Sequence, residues 1–285
     1  MPITLGSNLF ATKVMGQIDR TSQRLKSVYY SLSTGTDLGL DGELGGRVTL
    51  ADRLRMQTKV ATVALRNANE GLSYLATADA GLQEIQNILY RMAELSNQSA
   101  NTTFASAQRS ALSAEFVALG SEIERITKAN TFNTLNTLSS GSDLSLQVGI
   151  TGGAESSIQV TSVVATVAAL GLGGVSGALT YSITGTTSDA AVTSSRLAYS
   201  ALLTAQDSLT IKRGSVSAVT SRLQMAVSFL STARENYAAA ESNIRDSDTA
   251  RDVAEFTRLQ VLQQSQAALL AQANQQPSLV LRLLG

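Results

Sequence analysis

Apolar residues recur along this chain at alternating steps of four and three. From Ala198 those steps meet Leu202, Ala205, Leu209, Lys212, Val216, Val219, Leu223, Ala226, Leu230, Ala233, Tyr237, Ala240 and Ile244, and thirteen of the fourteen positions are apolar or aromatic. A stripe of this period stays on one side of a helix, so the pattern predicts one long helix in a bundle or coiled-coil seam. At 1.5 Å per residue it would extend ~70 Å, which predicts an elongated molecule. The first half of the chain repeats the spacing through Ala11, Val14, Ile18, Thr21, Leu25, Val28 and Leu32, up to a break at SLSTG (residues 31–35). A second stripe runs through Ala61, Ala64, Ala68, Leu72, Leu75, Leu82, Ile85, Leu89 and Met92, and a further helix is expected over residues 105–128. Such stripes are core seams before they are anything else. Each seam needs a facing helix, and the two halves of the chain supply one another.

Between the halves the pattern changes. From residue 129 to 195 the only charges are Asp143, Glu155 and Asp189, and Gly, Ser, Thr, Val and Ala dominate. LSLQVGI (residues 144–150) and SIQVTSVV (residues 157–164) alternate polar with apolar positions around TGGAES, the pattern of a β-hairpin. ALTYSIT (residues 178–184) follows a glycine-rich stretch and reads as further β structure. The fold class is therefore α+β, mainly α: long antiparallel coiled-coil helices from both chain ends with a small β-rich outer insert. With almost no charge and no heptad signal, residues 165–190 are expected on the outer surface, where their deletion would be tolerated.

Composition removes whole classes of function. The chain has 285 residues, no Cys and no His, so it offers no thiolate, no zinc-ribbon pattern and no imidazole base; no enzyme activity and no cofactor or metal is expected. Twenty-two basic residues balance twenty-two acidic ones, which provides no net field for nucleic acid. No apolar run is long enough for a membrane span, and the first residues lack the pattern of a cleaved secretory signal. Asp246, Asp248 and Asp252 alternate with Arg245 and Arg251, which reads as a charged helix junction rather than a metal site.

The last 27 residues carry a single charge, Arg282. Ordering both chain ends would cost more conformational entropy than burying their own apolar side chains returns, so alone they are expected to be largely disordered. Further copies of the chain would bury the same stripes again. Gln263, Gln264, Gln266, Gln272, Gln275 and Gln276 could then form hydrogen bonds across subunits without burying charge.

Short blocks at both ends carry a resemblance. ALRNANEGLSYL (residues 64–75), AELSNQSAN (93–101), TFN (131–133), LQVG (146–149), ESNIRDSD (241–248) and LLAQANQQP (269–277) stand in the order of the signature blocks of bacterial flagellins, covering roughly residues 1–150 and 195–285. Where that family usually has a serine-alanine-lysine run with acidic residues, this chain has GLDGELGG (residues 39–46), with Asp41 and Glu43 keeping the acidic character. The resemblance implies a filament subunit used for swimming, with residues 1–44 and 246–285 in a core tube that is disordered in the monomer. It implies a helical bundle domain with a β-hairpin from 45–150 and 193–245, and a variable outward insert at 151–192. The polymerisation residues it points to are Val14, Ile18, Leu25, Val28, Leu32, Leu259, Leu262, Leu269, Leu270 and Ala273. It further implies unfolded export through a type III apparatus, an extracellular location on the flagellum, and partners in an export chaperone, a filament cap and hook–filament junction proteins. Alternatives of another kind are a junction protein of the same superfamily or a ligand of an innate immune receptor, recognised through Arg91, Glu94, Leu95 and Glu115.

Overall fold

The stripes fold as α-helices wherever they were read. The computed structural model describes residues 8–37, 45–139, 141–174 and 177–284, with side chains as far as residue 275. In chain order it contains α1 (Leu9–Thr34), α2 (Gly45–Ser99), α3 (Ser106–Ala129), β1 (Thr131–Phe132), β2 (Leu135–Asn136), β3 (Leu144–Gln147), β4 (Ser157–Val160), α4 (Ser188–Arg245) and α5 (Thr249–Leu284). The break at SLSTG is the end of α1. Gly35 takes the left-handed conformation, φ 69°, and its N–H donates to Ser31 O at 2.7 Å, closing the last turn.

Two compact units divide the chain: residues 60–233, and residues 1–59 with 234–285. The division lies inside α2 and α4, both of which run through it as continuous helix.

In the unit of residues 60–233 the stripes meet large side chains. Leu75, Leu82, Ile85, Leu89, Met92 and Leu95 of α2 are fully buried with Phe116 and Ile123 of α3 and Leu202, Leu209 and Leu223 of α4. The hairpin expected from alternation is present: β3 pairs antiparallel with β4, Leu144 opposite Val160 and Leu146 opposite Ile158. Its loop closes where Val148 and Gly149 N–H both donate to Ser156 O at 2.8 Å, and a Cβ on Gly149 would collide with Ser156. The signature blocks meet across this unit. Gly71 of α2 leaves the space that Leu146 of β3 fills, and Asn67 Nδ2 donates to Gln147 O at 3.0 Å. Phe132 of TFN stands edge-on to Tyr74, ring centroids 6.0 Å apart.

Residues 165–190 depart from expectation. ALTYSIT is irregular chain with a single bridge, Gly173 to Leu179, not a strand. Nor is the segment a detached surface insert, because Ala165, Val167, Leu170, Leu172 and Ile183 are buried in the same core as α2 and α4. Leu179 rests on Gly120 of α3, where a Cβ would overlap it. Buried Ser99 donates to Ile183 O at 2.7 Å, tying the segment to the end of α2. Lack of charge here reflects burial, since an apolar, charge-free stretch serves a core as well as a surface loop.

Leu172→Ala should therefore destabilise the protein by about 2–5 kcal/mol, the range for removing a buried leucine side chain. Leu197→Ala, at an exposed position of α4, should stay within about 0.5 kcal/mol. Denaturant titration followed by circular dichroism compares the two, and equal midpoints would return residues 165–190 to the surface.

Candidate assembly surface

The terminal helices α1 and α5 lie antiparallel, and side-chain bonds join them. Ser31 Oγ donates to Asp252 Oδ2 at 2.6 Å, Gln263 Nε2 to Ser22 Oγ at 3.4 Å, and Asn8 Nδ2 to Ala273 O at 2.9 Å. Tyr29 and Phe256 stand between the first two, ring centroids 6.5 Å apart. The Asn8 bond has a covalent cause. Pro277 has no backbone N–H, so the Ala273 carbonyl four residues before it has no ordinary helical donor. Asn8 supplies one, while its Oδ1 accepts from Ala11 N at 3.0 Å and caps α1. One asparagine thus completes both helices.

The seam between them is thin. Among the described residues, those of α1 and α5 buried in it are Ala11, Thr21, Ser31, Leu259 and Ala273, only one of them a large apolar side chain. Of the residues expected in polymerisation, Leu259 and Ala273 are buried. Val14, Ile18, Leu25, Val28, Leu32 and Leu270 are half-buried along the pair. Leu262 and Leu269 face outward, 39% and 47% exposed. The stripe positions therefore serve the intrachain seam first.

Other apolar side chains lie off the stripe and were missed by it. Leu9, Phe10, Met15 and Tyr29 on α1, and Val253 and Val261 on α5, are exposed. The signal that finds them is the apolar residue that breaks the four-three register, since a helix apolar on more than one face needs more than one neighbour. Gln266 adds a polar counterpart: its Oε1 is buried and has no hydrogen-bond donor.

The charged junction forms as expected, and its carboxylates have local roles. Asp248 accepts from Ala250 and Arg251 N–H at the head of α5, and Asp246 accepts from Ser242 Oγ at 2.6 Å. Thr36 bridges Asp246, Asp37 N donates to Arg245 O at 2.7 Å, and Ser247 N to Gly35 O at 3.1 Å. Arg47 joins Asp37 Oδ2 at 2.9 Å and Ile244 O at 3.0 Å. Asp41 and Glu43 of GLDGELGG lie outside the described residues. Among the described residues no acidic group is arranged to hold a metal, and no helix is long and apolar enough to cross a membrane.

The four residues of the implied receptor patch separate. Arg91 Nε bonds Glu115 Oε1 at 2.9 Å and Arg91 Nη1 bonds Glu94 Oε2 at 3.0 Å, all three side chains being exposed. The bond to Glu115, then that to Glu94, raises the pKa of Arg91 above its ordinary value. Leu95 belongs elsewhere. It is fully buried in the core, because one step along a helix turns the side chain by about 100° away from Glu94, and it presents nothing to a partner.

The model of the bacterial flagellin N-terminal helical region matches residues 6–143, and that of the C-terminal helical region matches residues 200–284. A flagellin of Halalkalibacterium halodurans is 36% identical over 89% of this chain and 89% of its own length. The flagellar filament 30.7 kDa core protein of Treponema maltophilum is 31% identical over 98% of this chain and 97% of its own. The flagellar filament core protein flaB2 of Brachyspira hyodysenteriae is 31% identical over 98% and 99%. With both helical regions matched and relatives aligned nearly end to end, the chain belongs to the bacterial flagellin family.

Proposed function

We propose that this chain is a structural subunit that polymerises into the bacterial flagellar filament, with α1 and α5 of neighbouring copies completing the apolar faces that one α1–α5 pair leaves open. The observation that carries this is the mismatch among the described residues of the terminal helices: five buried residues, mostly small or polar, against exposed Leu9, Phe10, Met15, Tyr29, Val253, Val261, Leu262 and Leu269. Repeated neighbours would bury these faces. Relatives named as filament core proteins over nearly their whole length favour this reading over a hook–filament junction protein. The Arg91–Glu94–Glu115 cluster is not needed for it, and an innate immune receptor is not favoured as the reason the protein exists.

The subunit acts outside the cell in this scheme, delivered through an export channel with a chaperone on the inner side and a cap and junction proteins at the filament ends. A chain without cysteine cannot be trapped by a premature disulfide, and a thin terminal seam is easily unfolded for threading.

Leu269→Asp tests the assembly face. In the single subunit the side chain is exposed, so thermal unfolding of the monomer should shift by no more than a surface substitution does, about 0.5 kcal/mol. In the filament the carboxylate would be buried without a partner at every subunit, at a cost of several kcal/mol. Seeded sedimentation should therefore fail while the monomer melt is unchanged; normal sedimentation would mean that this face stays in water.

Hydrogen exchange tests the seam. In dilute monomer the amides of Leu25 and Leu270 should exchange far faster than that of Leu82 in the large core, and in sedimented polymer all three should be slow. Equal protection of the three in monomer would refute the view that the terminal helices depend on neighbours.

A further inference from the structure

Arg109 of α3 is 5% exposed, and none of the ion pairs among the described residues includes it. Its Nη1 donates to Ser188 Oγ at 3.2 Å, and its Nη2 donates to Asn101 O at 3.0 Å and Ser188 Oγ at 3.3 Å. Its Nε is buried with no acceptor. A buried guanidinium ordinarily stands beside a carboxylate, because removing its charge from water is costly without compensation.

The surroundings deepen the imbalance. Arg109 lines a cavity of about 270 Å³ together with Phe104, Ser106, Gly185, Thr187 and Ser188, and no carboxylate is in its wall. Asp189, in the first turn of α4, is not part of that wall. Two long helices begin here, α3 at Ser106 and α4 at Ser188. The N–H groups of a first helical turn have no carbonyl partner within the helix, and each helix adds partial positive charge at its start. Thr184 and Thr186 of the loop also line this space. A cation lacking a counter-ion, two helix starts and several hydroxyls therefore converge on one small opening.

We propose that this cavity is a binding site for a small oxyanion of the phosphate or sulfate class, which supplies the counter-charge of Arg109 and bridges the starts of α3 and α4. The guanidinium and the first-turn N–H groups contribute charge and directed donors, and the Ser188 and Thr187 hydroxyls complete the ring. The site is independent of filament assembly, so its test and that of polymerisation fail separately.

The full chain, labelled with nitrogen-15 and kept dilute enough to remain monomeric, is titrated with sodium phosphate and separately with sodium sulfate, ionic strength being held constant with sodium chloride. The Arg109 Nε–Hε resonance and the Ser188 and Asp189 amides should shift saturably, and the thermal midpoint should rise with the added anion. A response to both anions assigns the site to tetrahedral oxyanions in general, and a response to phosphate alone assigns it to phosphate. Arg109→Lys, which keeps the charge but loses the fork, should bind roughly tenfold more weakly. Ser188→Ala should weaken binding while leaving the helical circular dichroism intact, and it decides the matter should the lysine variant not fold. Shifts that follow ionic strength, that do not saturate, or that survive Ser188→Ala undiminished would overturn the site and leave Arg109 as a brace for the Asn101 carbonyl.

Discussion

A stripe of apolar side chains on a helix is worth only what the opposing wall can bury, and this chain meets that constraint in two ways. In residues 60–233 the stripes of α2 and α4 face leucines, isoleucines, Phe116 and the hairpin, and the core closes on itself. In the terminal unit the described residues of the α1 and α5 stripes meet over alanine, serine and threonine, with Leu259 as the one large side chain fully enclosed among them. Small residues let two backbones approach but return little apolar area. The same heptad grammar thus builds a self-sufficient core in one unit and an incomplete one in the other.

Several short sequence blocks turn out to be packing devices. Gly71 exists as glycine because Leu146 occupies the place of its side chain. Gly81 gives the same room to Asn130 and Leu138, and Asn130 Nδ2 uses it to reach Thr77 O at 3.1 Å. Pro277 and Asn8, 269 positions apart in sequence, answer one another through the Ala273 carbonyl. In each case a residue is explained by one distant from it in sequence. Arg109 is the counter-example: its polar environment is arranged with care, yet its charge has no acidic partner among the described residues.

The sequence by itself determined the helices, because their spacing is a local property: the end of α1 at Gly35, the limits of α3 to within a residue or so, the β3–β4 hairpin and the junction between α4 and α5 all follow from neighbours in the chain. It also determined what the protein lacks chemically, since no fold can create a thiol or an imidazole. Tertiary structure alone decided which apolar residues are spent inside the subunit. Leu95 and Glu94 are adjacent, yet one is buried and the other faces water, and a motif read as a string cannot separate them. Residues 165–190 look like a loop because they carry neither charge nor period, and only the packing of Val167, Leu172 and Ile183 against α2 and α4 makes them core. The boundary between the units, inside two continuous helices, leaves no local mark either. Periodicity records which face of an element is apolar, whereas burial depends on what comes to lie against that face, and that is settled by residues hundreds of positions away.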